Sequence, residues 1–191
     1  MQFLPATAHR RMPWKNGGGE TAGIAVSPEG AGLGEFAWRI SMAQVGTDGP
    51  FSAFPGIDRS LSVLEGCGIA LSLAGAPEIV LMTESLPFAF AGDAAATARL
   101  VAGAITDLNV MTRRGLWRHE VERLRFGDKR SLRCTADITV FLSRSSNLGL
   151  VAGMQHVTLG IDDAALVEGA IDLNFEPEGE ATLFVARLWR P

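Results

Sequence analysis

The sequence predicts an all-β fold, a sandwich or a barrel. Long runs of 3.6-residue periodicity are scarce, and short apolar runs of strand length dominate instead. The breaks between those runs carry turn chemistry: Pro28-Glu29-Gly30, Asp48-Gly49-Pro50, Pro55-Gly56, Gly75-Ala76-Pro77, Gly127-Asp128 and Glu176-Pro177-Glu178-Gly179. Many short strands at near-regular spacing favour a closed or double-layered antiparallel structure over alternating β and α units.

In chain order the expected strands are Thr21–Val26, Phe36–Val45, Arg59–Glu65, Ile69–Leu73, Ile79–Met82, Thr97–Val101, Ile105–Thr112, Asp137–Leu142, His156–Leu159, Ile171–Phe175 and Thr182–Trp189. In the second of these, Phe36, Trp38, Ile40 and Met42 fall on one face and Arg39 and Ser41 on the other, a period of two. The charges of Leu116–Phe126 suit a helical turn or an exposed strand, and strand is preferred. Leu100–Asn109 and Leu166–Asn174 share a short echo, which would fit two copies of one β-unit.

Composition excludes several function classes. Lys+Arg numbers 17 against 21 Asp+Glu, a net charge of -4, so no clustered cation surface supports nucleic-acid binding. The Arg-rich stretch from Arg113 to Arg133 is diluted by Glu120, Glu122 and Asp128 and reads as a solvated face. The most apolar window, Ile69 to Met82, is too short to span a bilayer, and no secretory signal opens the chain; the expectation is a cytoplasmic protein with no membrane partner. Cys67 and Cys134 lack a Cys-x-x-Cys spacing and read as two buried thiols.

Two stretches concentrate binding chemistry. Pro13-Trp14-Lys15-Asn16-Gly17-Gly18-Gly19 sets three glycines beside a rigid aromatic, a cation and an amide. A glycine run weakens a strand or helix interior, so it marks a turn or a close backbone approach. Gly49–Leu61 combines tight turns, Phe51 and Phe54, Ser52 and the pair Asp58-Arg59, and feeds directly into a strand.

With Trp-Arg-Ile-Ser-Met-Ala at 38–43 and Asp-Leu-Asn-Val-Met at 107–111, these segments resemble the HutD/Ves family, bacterial proteins associated with histidine utilisation. They cover most of residues 10–112. The resemblance implies a cupin-like β-barrel or sandwich, in a two-barrel (bicupin) arrangement within one chain. The 191 residues would then form a single unit with an internal duplication, roughly 1–112 and 113–191, intertwined. It also implies no established catalytic activity, and a small acidic ligand such as formate, formylated glutamate or urocanate.

A metal is not expected. Cupin metal sites use paired histidines, a glutamate and a later histidine, and the corresponding positions here hold Pro55, Ile57 and Ile105. His9, His119 and His156 are not spaced to place two on one strand face. No cofactor fingerprint occurs, and the chain has no tyrosine for acid–base work.

The expected ligand site is therefore built from cations and amides. Arg39 offers a bidentate fork to a carboxylate and Lys15 a point charge. Asn16 can read an amide or formyl group. Ser41, Ser52 and Asn109 complete the polar shell, Arg59 adds a second guanidinium or pairs locally with Asp58, and Trp14, Phe51 and Phe54 wall the pocket. The rival reading is a metal-independent hydrolase or isomerase using Asp58 or Glu65 as the proton-transfer group. Pairing along exposed strand edges would make a homodimer.

Overall fold

The computed structural model describes residues 1–14 and 17–191, so Lys15 and Asn16 lie outside the described residues. Among the described residues, nineteen strands account for nearly all of the regular structure. The first eleven are β1 (Gln2–Leu4), β2 (Arg10–Pro13), β3 (Gly19–Ser27), β4 (Trp38–Val45), β5 (Gly49–Pro50), β6 (Ile57–Glu65), β7 (Ile69–Leu73), β8 (Ile79–Leu81), β9 (Phe88–Ala91), β10 (Ala96–Leu100) and β11 (Ile105–Arg113). The rest are β12 (Arg118–Phe126), β13 (Arg130–Cys134), β14 (Ile138–Ser143), β15 (Leu148–Ala152), β16 (Gln155–Leu159), β17 (Ala164–Glu168), β18 (Ile171–Pro177) and β19 (Ala181–Trp189). Among the described residues the one helical element is a 3-10 turn at Ala6–Ala8. Among the described residues no helix is long and apolar enough to cross a membrane.

The strands gather in two compact units, Arg10–Arg118 and a second formed by Met1–His9 with His119–Pro191. In Arg10–Arg118 a six-stranded sheet of order β2-β3-β4-β11-β6-β9 accompanies a four-stranded sheet of order β5-β10-β7-β8. The other unit has a five-stranded sheet of order β1-β17-β14-β19-β12 and a four-stranded sheet of order β13-β18-β15-β16. Taking β4 as the counterpart of β12 and counting on, both sets of strands follow the same path. The short echo does not trace that path: one copy spans the β10–β11 turn and the other the β17–β18 turn, which are not counterparts. Its likeness comes from the small residues that both turns need.

Each unit has its own apolar core. In Arg10–Arg118 the fully buried Leu61, Ile69 and Leu71 pack with Val45, Val63 and Ile105. In the other unit Phe141, Leu148, Leu150, Phe175, Leu183 and Val185 are completely enclosed. There the Phe141 and Phe175 rings meet edge to face, with centroids 5.3 Å apart.

Every strand expected from the sequence is present, and Leu116–Phe126 is a strand as preferred. The missed ones are short or lack alternation. β5 has two residues, β15 (LGLVA) and β17 (AALVE) are apolar or small throughout, and β13 is mostly polar. Phe36 departs from the expected face: it precedes β4 and packs with Ile57, Met111 and Phe54 instead of siding with Trp38. Cys67 is also corrected. It is exposed, because the β6–β7 turn is made by Gly66 and Gly68 at φ +91° and +103°, which leaves Cys67 at the tip; Cys134 is buried and both thiols are free.

The glycine run closes the β2–β3 turn. The Trp14 N–H donates to the Gly19 carbonyl at 2.9 Å, and the Gly46 N–H to the Gly18 carbonyl at 2.9 Å. At Gly19 the close backbone approach is explicit: a Cβ would stand 2.2 Å from the Gln44 carbonyl oxygen and 3.0 Å from the Trp14 ring. Gly19→Ala is therefore expected to lower stability by about 1–3 kcal/mol through overpacking. Chemical denaturation of the two proteins checks this; an unchanged midpoint would contradict it.

Candidate functional site

Alternation on three adjacent strands builds the site. The pairings Arg39↔Met111↔Arg59, Ser41↔Asn109↔Leu61 and Ala43↔Asp107↔Val63 set three cross-strand rows on one face of β4, β11 and β6. Leu61, Val63, Ala43 and the next residues Val45 and Ile105 belong to the core. The interior of this unit is thus apolar at one end and polar at the other. A register shift between Thr106 and Asp107 places a bulge beside the last polar row. Bulges re-aim side chains and sharpen local twist.

The polar end opens into a cavity of about 630 Å³. Its walls include Met12, Pro13, Trp14, Thr21, Phe51, Ser52, Phe54 and Met111 around Arg39, Ser41, Arg59, Asp107 and Asn109. The structure brings together Trp14, Arg39, Ser41, Phe51, Ser52, Arg59 and Asn109 of the expected set. Lys15 and Asn16 cannot be placed, being outside the described residues. Trp14 is anchored by its indole N–H, which donates to Thr21 Oγ1 at 2.8 Å.

The aromatic loop is pinned from outside. Arg114 donates from Nε to Asp58 at 2.6 Å and from Nη2 to the Ile57 carbonyl at 2.9 Å, and it also pairs with Asp93. Arg113 holds the stretch before β4 through the carbonyls of Gly34 (2.9 Å) and Phe36 (3.1 Å). These two arginines correct the reading of 113–133 as a solvated face: its first two cations clamp loops that shape the cavity. They also correct Asp58, whose partner is Arg114 rather than its neighbour Arg59. Neither Asp58 nor Glu65 lines the cavity, and Glu65 ends β6 in an exposed position, so the cavity lining gives the rival acid–base reading no support.

Arg59 instead points inward and is 6% exposed. Its Nε donates to Asn109 Oδ1 at 2.7 Å, and Nη2 donates to the same oxygen. Asn109 Nδ2 in turn donates to Asp107 Oδ1 at 2.5 Å. Asn109 is a mid-strand relay. The guanidinium also lies over the Phe51 ring, 4.5 Å from its centroid, and 5.5 Å from that of Phe90. Burial depresses the Arg59 pKa to about 10, against the opposing pull of Asp107. Burial raises the Asp107 carboxyl to about 7, outweighing Arg59, the Asn109 amide and the Ala43 backbone, all of which favour the ion. Asp107 Oδ2 has no hydrogen-bond partner.

Arg39 is different. It is 7% exposed and lines the cavity, yet its side chain makes no hydrogen bond or ion pair among the described residues. Burial, then repulsion from Arg10, lowers its pKa. Asp107 is the site residue that sequence reasoning missed. The signal was present: Ile105, Asp107, Asn109 and Met111 alternate onto one face at the same two-residue spacing as Arg39, Ser41 and Ala43.

The donor set does not fit a transition-metal ion. One carboxylate and one amide stand among two guanidiniums, and no group of three His, Cys, Asp or Glu side chains is placed to hold a metal among the described residues.

A two-sheet antiparallel barrel with a ligand-sized cavity at the polar end of its interior is a cupin-type protein. Salicylate 1,2-dioxygenase from Pseudoaminobacter salicylatoxidans has the same fold, with a TM-score of 0.63 at 11% identity over 87% of this chain and 76% of that one. The HutD family profile matches residues 6–185, and the chain belongs to the HutD family. An uncharacterized 21.2 kDa protein in the hutC 3′ region of Pseudomonas putida is 36% identical over 175 residues, 91% of this chain and 90% of that protein. Protein Ves from Citrobacter koseri is 41% identical over 109 residues, 55% of this chain and 56% of its own length. HutD from Pseudomonas fluorescens SBW25, solved in a formate condition, superposes with a TM-score of 0.84 at 30% identity, over 100% of this chain and 98% of that one.

The raised Asp107 carboxyl gives a stability prediction. The folded state keeps this proton to about pH 7, whereas the unfolded chain releases it near 3.8. The folded state therefore binds more protons between those values, and stability falls as pH rises through them. Relative to Asp107→Asn, the wild type should lose on the order of a few kcal/mol from about pH 4 to 7. Denaturant melts at several pH values measure it; parallel profiles would refute it.

Proposed function

We propose that the cavity binds a small carboxylate metabolite and that this binding moderates histidine utilisation. One observation carries the reading: Arg39 is a nearly enclosed guanidinium that faces the cavity with no counter-ion or hydrogen-bond partner among the described residues. A buried cation without a partner is costly, and a planar carboxylate matches its fork of donors in bidentate geometry.

Ser41 adjoins Arg39 on β4, and its hydroxyl supplies a further donor to the acid. Trp14, Phe51 and Phe54 exclude water and so strengthen each polar contact. Lys15 and Asn16 follow Trp14 in sequence; in this proposal Lys15 adds positive charge and Asn16 reads a formyl or amide group. The Pseudomonas putida relative from the hutC 3′ region and the formate-condition HutD structure support an acid of the histidine-degradation class, with formylglutamate, formate and urocanate as candidates.

Titration calorimetry with these three acids tests the proposal. Arg39→Ala should weaken the best of them by about 1.5–3 kcal/mol, tenfold or more in affinity. Equal affinity in wild type and variant would remove Arg39 from the site, and no binding at millimolar concentration would end the proposal.

A further inference from the structure

Asp107 is the one carboxylate lining the cavity among the described residues, and it is completely buried. It reaches the Arg59 charge only through Asn109, whose Oδ1 takes both Arg59 N–H groups while its Nδ2 is given to Asp107 Oδ1. The other carboxylate oxygen is enclosed and unpartnered, so Asp107 does not present a free edge for a ligand to grip. Around it, β4 contributes Ala43 directly opposite and Arg39 further along, and β6 contributes Val63 opposite and Arg59 further along. β3 contributes Thr21 beside Ala43, with the Trp14 indole on its hydroxyl. The charged groups in this set are the two arginines, and Arg59 is the one whose field acts on Asp107. His9, His119 and His156 are not among the cavity-lining residues.

The inference rests on the carboxylate-binding reading above. If an acid enters against Arg39, the field of Arg59 falls on two anions, the resident Asp107 and the incoming carboxylate. In a poorly solvated interior, like charges oppose each other strongly and the weaker acid takes up a proton. We propose that the cavity exchanges an internal anion for an external one: the ligand carboxylate enters together with one proton from solvent, and Asp107 takes that proton. The only bonds that change are the O–H bond made at Asp107 and the one broken in the solvent or buffer acid that gives the proton, and the net charge of the cavity is unchanged. Asp107 is then a positioning residue. It holds Arg59 through Asn109 when the cavity is empty and releases the guanidinium's charge to the ligand when it is filled.

Affinity for an anion of fixed charge must then depend on pH. With burial holding the empty-cavity carboxyl at about 7, little proton uptake is needed below neutrality and up to one proton above it. Binding weakens as pH rises past about 7, approaching tenfold for each pH unit until the ligand-bound state also loses its proton.

The test is calorimetric titration of the full chain with sodium formate at pH 6, 7 and 8. Each pH is run in two buffers of unlike ionisation enthalpy, chosen without carboxylate or phosphate groups. The expected result is a buffer-dependent enthalpy that reports proton uptake at pH 8, less at pH 7 and almost none at pH 6, with affinity several-fold weaker at pH 8 than at pH 7. In Asp107→Asn the uptake disappears and the affinity becomes flat with pH. Wild-type enthalpies at pH 8 that do not depend on buffer would overturn the proposal, as would uptake that survives in Asp107→Asn. Should that variant fail to fold, carboxyl NMR of the wild type decides: the Asp107 resonance must titrate at higher pH with formate than without it, and an unmoved titration refutes the exchange. Formate that binds without proton uptake sinks only this inference, whereas formate that fails to bind at every pH, with the other two acids also failing, sinks the carboxylate reading with it.

Discussion

The interior of the Arg10–Arg118 unit depends on a single hydrogen-bonded relay, Arg59 to Asn109 to Asp107. A guanidinium and a carboxyl group have been taken out of water and held apart by one amide that satisfies part of each. Such burial costs far more than it returns unless donors and acceptors are matched, and here one carboxylate oxygen is left without a partner. Stability must come from elsewhere. The long antiparallel pairings of β11 with β4 and β6 supply the backbone ladder, and the apolar far end of the same interior supplies the burial. The polar end can then stay hollow.

Arg39 and Arg59 are both cavity-lining guanidiniums, on the two strands that flank β11 and on the same sheet face, yet their environments divide the work. Arg59 is spoken for: two N–H groups go to Asn109, and aromatic rings of Phe51 and Phe90 cover its plane. Arg39 has no comparable shell among the described residues. A side chain fixed by its neighbours sets the shape of a site and its resting charge, whereas one left open takes what arrives. This asymmetry is why the proposed anion contact falls on Arg39 while the electrostatic background is set by Arg59 and Asp107.

Much of this was legible in the residues, because strand alternation is a strict rule. It puts Arg39 and Ser41 on one face, and the turn chemistry bounds nearly every long strand. What could not be read was which oppositely signed groups would meet. Asp58 is adjacent to Arg59 in sequence, but adjacent strand residues point to opposite faces, so the local pair that the sequence invites is forbidden by the pleat. Asp58 faces outward to Arg114, and Arg59 inward to Asn109, fifty residues away in the chain. Cys67 failed for a related reason: its apolar neighbours suggested burial, but two left-handed glycines turn the chain there and carry the thiol outward.

The two units make the same point by contrast. Their strands follow one path, with β11 and β6 taking the places that β19 and β14 take in the other unit. Where β11 and β6 present Asp107, Asn109 and Arg59 to the interior, β19 and β14 present Leu183, Val185 and Phe141, and that interior is filled by interlocking apolar side chains. The backbone therefore does not dictate a cavity. A handful of inward positions does, by replacing interlocking apolar side chains with polar and charged ones that leave a hollow. Filling the hollow by apolar substitution at Arg59 and Asp107 together would remove two buried charges at once and favour the fold. It would leave Arg39 without the charged background in which the proposed acid binds, so on that proposal the relay is a cost in stability accepted for recognition.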